Sequence, residues 1–190
     1  MSAVDEISDA ALLQAYVDGD AAAMDVLIGR YRRSLFAWLM GMTGNRADAE
    51  DLYQEVWLRV IKHAWRFNNV SFKAWMWRIA RNLLIDFRRK RKPDISLDAV
   101  IDEDSQPLID RLESKIEGPD KVLTRNDLMA HVMRAVQTLP EMQREVFLLR
   151  VQSELSFTEI ATLLRIPLNT ALGRMHDAMG KLKGALALEE

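Results

Sequence analysis

The stretch Ser71–Lys92, SFKAWMWRIARNLLIDFRRKRK, decides how the chain is to be read. Phe72, Trp75, Met76, Ile79, Ala80, Leu83, Leu84 and Phe87 recur at three- and four-residue steps, the spacing of one buried helical stripe. Between them fall Lys73, Trp77, Arg78, Arg81, Asn82, Arg88 and Arg89, so the opposite face is expected to carry cations and one solvent-facing indole. Guanidinium and ammonium groups neutralise phosphates, and an aromatic plane stacks on an unpaired base, so such a face suits nucleic acid. A solvated surface helix whose Trp77 packs on a neighbour has the same pattern, and the helix by itself leaves both readings open.

The segment before it, RADAEDLYQEVWLRVIKHAW from Arg46 to Trp65, is also helical in period. Ala49, Leu52, Tyr53, Val56, Val60 and Ile61 form its inward set, and Asp48, Glu50, Asp51, Gln54, Glu55 and Leu58 its outer face. Carboxylates in so short a patch invite a metal, and Glu55 with His63 invites an enzyme reading. No His, however, lies three or four residues from a carboxylate pair in a repeated motif of the di-metal bundle type. An acidic interaction face or plain solubility fits better, and neither a metal nor a cofactor is expected. Asn45, three residues before Asp48, starts this helix favourably, with a carboxylate near the positive end of the dipole. Phe67 to Ser71 is a short connection, with Ser71 able to cap the basic helix.

Further toward the N-terminus, helical patterns run from Asp9 to Tyr16 and from Ala21 to Met42. Their inward sets are Leu12, Leu13 and Tyr16, then Met24, Leu27, Ile28, Tyr31, Leu35, Trp38 and Leu39. The first 92 residues thus read as an all-helical bundle. The opening twenty residues are acidic and lack the basic start and apolar block of a signal peptide, and no apolar run approaches a membrane span. A cytoplasmic protein with no membrane partner is expected. The 190 residues contain no cysteine, which removes disulfides and thiolate metal sites. The net charge of −2 would argue against nucleic acid only if the charges were evenly spread, and they are segregated.

Beyond the basic helix, residues 93–121 contain Pro93, Pro107 and Pro119 and are dominated by Asp and Glu, the composition of a flexible acidic linker. A second unit spans 122–190. Leu123, Leu128, Val132, Ala135, Val136 and Leu139 mark one helix, and Pro140 introduces another with Val146, Phe147, Leu149 and Val151 inward. Ser156-Phe157-Thr158-Glu159 has the form of a capping box opening a helix to Leu164. Arg165-Ile166-Pro167 turns the chain into a last helix from Leu168 toward Leu186. Two short helices and a tight turn match a helix-turn-helix, whose second helix enters the major groove. Ala171, Met175, Ala178 and Leu182 step along its inner side; Leu168, Asn169, Leu172, Gly173, His176 and Lys183 face out.

Three motifs in this order, AEDLYQEVWLRV at Ala49–Val60, FKAWMWRIARNLLIDFRR at Phe72–Arg89, and LPEMQREVFLLR with FTEIATLLRIP at Leu139–Arg150 and Phe157–Pro167, resemble the extracytoplasmic-function (ECF) group of bacterial sigma factors. The resemblance implies an all-α chain with a region 2 bundle and a region 4 helix-turn-helix. It implies a transcription initiation factor that binds core RNA polymerase, selects promoter DNA and helps to open it, and is not itself an enzyme. Glu50, Asp51, Gln54, Glu55 and Trp57 are then expected to dock on the clamp helices of the largest polymerase subunit, and the second domain on the flap region. Asn68, Asn69, Ser71, Phe72, Lys73, Trp77, Arg78, Arg81, Asn82, Arg88 and Arg89 are expected at the minus-ten element, and Leu168, Asn169, Thr170, Leu172, Gly173, Arg174 and His176 at the minus-thirty-five element.

The recognition helix departs from the family pattern Gly-Thr-Val-Lys-Ser-Arg: Leu172 holds the usual Lys position and Asp177 a usual Arg position. Each lost phosphate contact removes salt-dependent affinity. Two explanations remain open. Either Leu172 touches thymine methyls while Asn169 pairs with adenine, or this face meets a regulator, an anti-sigma factor or an activator.

Overall fold

The computed structural model describes residues 7–68, 71–91 and 132–187, and these are helical apart from caps and turns. The expected linker, Asn69, Leu123 and Leu128 lie outside the described residues. Helix α1 spans Asp9–Val17, α2 Ala21–Thr43, α3 Arg46–His63 and α4 Phe72–Arg91, with a 3-10 turn at Ala64–Arg66. The described part of α5 covers 132–137, and α6 Glu141–Ser153, α7 Phe157–Leu164 and α8 Leu168–Ala187 complete the chain.

Each start has a local cause. Ser8, Asp20, Asn45 and Ser71 each accept a hydrogen bond from a first-turn backbone N–H, satisfying donors that a helix cannot pair internally. At α7 the capping box is complete: Glu159 N–H donates to Ser156 Oγ, and Ser156 N–H donates to the Glu159 carboxylate at 2.8 Å. Helix α2 ends at Gly44, whose φ of 67° suits glycine and sends its N–H back to Met40 O. The turn between α7 and α8 places Arg165 at φ 57°, a left-handed position held by hydrogen bonds from Arg165 and Ile166 N–H to carbonyls of α7.

The inward sets mostly hold. Leu12, Leu13, Met24, Leu27, Leu35, Trp38 and Leu39 are buried, as are Ala49, Leu52, Val56 and Val60 and, in α4, Phe72, Met76, Ala80, Leu83 and Leu84. Tyr16, Ile28, Tyr31, Tyr53, Trp75, Ile79, Phe87, Phe147 and Met175 are only half-buried at the rim of the same core. Ile61 and Val151, expected inside, are exposed. Ile61 lies where α3 runs out toward the 3-10 turn beyond its neighbours' cover, and Val151 occupies the outward side of the last turn of α6.

The two halves do not sit apart. Helix α2 packs along α6, α4 reaches α7, and one contiguous buried cluster runs through both halves. The closest approach is at Gly41, where an added Cβ would lie 2.6 Å from Leu148 Cδ1. Gln137 Nε2 donates to Gly41 O at 2.7 Å, and Arg88 Nη2 donates to Met42 O at 2.9 Å. Both cap carbonyls in the last turn of α2, the negative end of that helix. Arg144 braces the contact from behind, donating to Gln137 Oε1, Gln137 O and Leu139 O, and burial pulls its guanidinium below its ordinary pKa.

Candidate nucleic-acid interface

Helix α4 presents two polar faces where one was expected. Arg78, Asn82 and Arg89, at steps of four and seven, are exposed. Arg89 makes only a local ion pair with Asp86, at 3.2 Å. Lys73, Trp77, Arg81 and Arg88 form a second stripe, turned toward the other half of the chain. Arg81 Nε donates to Glu145 Oε1 at 2.9 Å in a pair that is nearly buried. Arg88 pairs with Glu141, and Lys73 is close enough to Glu159 to favour its ionised form. Burial pushes the Glu145 carboxyl above its ordinary range, against the opposing pull of Arg81.

The expectation of a solvent-facing Trp77 is overturned. Its ring is 0% exposed and meets Trp38 edge-on, with centroids 5.4 Å apart. T-shaped contact of this kind adds about 0.5–1.5 kcal/mol to the burial of two large rings, so Trp77 is a core residue that ties α4 to α2. Phe72 is likewise buried, packed in an aromatic group with Tyr31, Phe67 and Trp75. The base-stacking surface is therefore not Trp77. Asn68 and Ser71 are exposed at the mouth of the connection, with Ser71 also serving as the cap of α4.

Helix α3 carries the acidic face as expected. Glu50, Asp51 and Gln54 are exposed and Glu55 is half-exposed. Glu50 and Glu55 hold only i,i+4 partners, Arg46 at 2.8 Å and Arg59 at 2.9 Å. Trp57 is a correction: it is 5% exposed and packs at an angle on Tyr53, so it supports this helix from within. Leu58, 60% exposed, extends the face with an apolar patch. No group of three or more His, Asp or Glu side chains among the described residues could hold a metal ion.

On α8, Ala171, Ala178 and Leu182 are buried. Leu168, Asn169, Leu172, Gly173 and His176 are exposed together with Asp177, and Thr170 and Arg174 are half-buried at the edge. Leu168 and Leu172 stand one turn apart on the same outer face. The α7–turn–α8 unit thus offers an exposed second helix with one cation, one imidazole and two leucines, against a supporting α6.

Two family models match the chain, Sigma-70 region 2 over residues 27–93 and Sigma-70 region 4 over residues 130–182. The chain is 31% identical over 170 residues to the ECF RNA polymerase sigma factor SigW of Bacillus subtilis (strain 168), covering 88% of this chain and 91% of that one. The chain belongs to the ECF sigma factors. A second relative, the RNA polymerase sigma-H factor of Pseudomonas aeruginosa, is 29% identical over 183 residues, covering 94% of this chain and 93% of the relative. Among solved structures, CnrH in complex with the cytosolic domain of CnrY shares the fold at a TM-score of 0.69 and 20% identity, covering 96% of this chain and 99% of that one. As an ECF sigma factor the chain is a transcription initiation factor working through RNA polymerase, with promoter-binding regions 2 and 4 and no enzymatic activity of its own. No helix among the described residues is long and apolar enough to cross a membrane.

Four residues important to this surface were not singled out by sequence reasoning: Gly41, Gln137, Glu141 and Glu145. Only Glu145 left a signal, as a carboxylate set directly before the apolar run Val146–Leu149. Its partner, Arg81, lies 64 residues away, and helical period carries no information about that distance.

Proposed function

We propose that this sigma factor divides its labour between two helices of the first bundle. The outer face of α3, Glu50, Asp51, Gln54 and Glu55, docks on the clamp helices of the largest polymerase subunit, with Leu58 adding apolar contact and Trp57 holding the helix rigid from inside. The face of α4 and its preceding connection meet the minus-ten element: Arg78, Asn82 and Arg89 directly, and Lys73, Arg81 and Arg88 once the second half has moved away. Asn68, Asn69 and Ser71 lie where an extruded base is received, since capture of an unstacked base offsets the few kcal/mol that unstacking costs. Residues 1–92, 93–121 and 122–190 serve as the region 2 domain, the linker and the region 4 domain, the last docking on the flap.

The observation that carries this reading is the segregation of charge within one bundle. Exposed carboxylates on α3 have only neighbouring-turn partners, while the cations of α4 stand on the adjacent helix. For the upstream element, the outward Leu168 and Leu172 favour direct reading of thymine methyls by α8, with Asn169 on adenine. Leu172→Lys tests this: a changed base preference at one position supports direct reading, and unchanged footprints with loss of an anti-sigma factor or activator would favour the regulator.

The decisive experiment is run-off transcription with sigma-free core polymerase on fragments from the gene's own neighbourhood, at two salt concentrations. Discrete transcripts that require the chain, and that disappear with Arg78→Glu, are expected. Core binding without any chain-dependent transcript would overturn the promoter assignment of α4.

A further inference from the structure

The cations of α4 are divided by their partners. Arg78, Asn82 and Arg89 look out to solvent, whereas Arg81 and Arg88 are held by Glu145 and Glu141 of α6. A carboxylate engages a guanidinium by the same charge-assisted hydrogen bonds that a phosphate would use. Around these pairs the contact is continuous: Gln137 and Arg88 cap the end of α2, Gly41 admits Leu148, and Glu159 lies near Lys73. Three carboxylates of the second half therefore face three cations of the first.

We infer that the chain locks itself: Glu141 and Glu145 stand in for promoter phosphates on Arg88 and Arg81, so the free chain is closed and must open along the α2–α6 contact before region 2 can take DNA. This rests on the reading that Arg81 and Arg88 touch promoter DNA. The apparent affinity of a protein for DNA is reduced by the fraction of molecules that are open. Opening therefore raises DNA affinity without adding any contact. The device is economical in residues, because the acidic side chains that close the chain lie on α6 and α7, outside the outer face of α8.

The test uses the full chain, which has no cysteine of its own. Cysteines introduced at Gly29 and Gly180, both exposed with open space around their α-carbons, carry a donor and acceptor dye to report the distance between the halves. The parent is compared with the double variant Glu141→Gln/Glu145→Gln and, independently, with Gly41→Leu, which wedges the α2–α6 contact without touching a charge. Each is titrated with a fluorescent 20-nucleotide A/T-rich single strand. The lock predicts high energy transfer in the parent, a fall in both variants, and strand binding tightened on the order of tenfold if the closed form dominates by that ratio. Unchanged energy transfer in both variants, or a fall with no gain in binding, overturns it. Adding Arg81→Gln/Arg88→Gln to the Gly41→Leu chain separates the two claims. If the opened chain loses nothing, the DNA role of these arginines fails, and the lock as a gate on DNA falls with it. If it loses affinity while the parent already shows low energy transfer, the lock alone fails.

Discussion

Helices α3 and α4 are neighbours built on the same plan, each with one buried stripe and a charged remainder, yet their charges have different fates. On α3 the carboxylates of Glu50 and Glu55 find Arg46 and Arg59 one turn away. On α4, Arg81 and Arg88 find partners 64 and 53 residues distant, on α6. A face satisfied only by its own helix is available to another molecule. A face satisfied by the rest of the chain must first be released. The acidic side of the bundle is thus ready for polymerase, while half of the basic side is engaged.

The largest effect that could break this comparison is at Trp77. If the ring is core, Trp77→Ala costs about 3–5 kcal/mol in denaturant unfolding; if it were a free stacking platform, the loss would stay within about 0.5 kcal/mol. Next comes the contrast between ion pairs. Glu145→Ala strands a nearly buried Arg81 and is expected to cost about 3 kcal/mol, with the free energy of undocking as its ceiling, whereas Glu55→Ala costs at most about 0.5 kcal/mol. A double-mutant cycle on Arg81 and Glu145 against one on Arg59 and Glu55 reads the difference directly.

A smaller effect sharpens the second half. Ser156→Ala removes the α7 cap and should cost about 1 kcal/mol. Hydrogen bonds from Ser156 hold the Glu159 carboxyl below its ordinary range. A carboxylate whose folded pKa is lowered stabilises the fold above its unfolded pKa, and that contribution is lost as pH falls through the folded value. The stability gap between the parent and Glu159→Gln is therefore present at neutral pH and closes on acidification below the usual carboxylate range; a gap that widened in acid would contradict the capping box. The smallest expected change in stability is at Asp51→Lys, within about 0.5 kcal/mol, although core binding measured by gel filtration with polymerase should be lost.

Much of the fold was legible because helices announce themselves locally. The three- and four-residue steps located the helices of the first bundle, and Ser156 and Glu159 marked the start of α7 three residues apart, as a capping box must. The acidic face of α3 was legible for the same reason. Trp77 was misread because the stripe that contains it is covered from outside its own helix: it meets Trp38 on α2, and the cations on either side of it meet α6. A helix buried on two sides has an amphipathic pattern wider than one stripe, and tryptophan among arginines resembles a wet face until the covering element is known. Trp57 was misplaced similarly, beneath a face whose other members are polar. Glu145 could be recognised as unusual beside an apolar run, but its partner could not be found by spacing.

The most direct measurement places a photo-crosslinking amino acid at Gln54 or at Asn82 in the full chain, assembled with core polymerase and promoter DNA. The account predicts that position 54 labels the largest polymerase subunit and position 82 labels promoter DNA near the minus-ten element. Crosslinks from position 82 to polymerase alone, or from position 54 to DNA, would contradict the division of labour between the two helices.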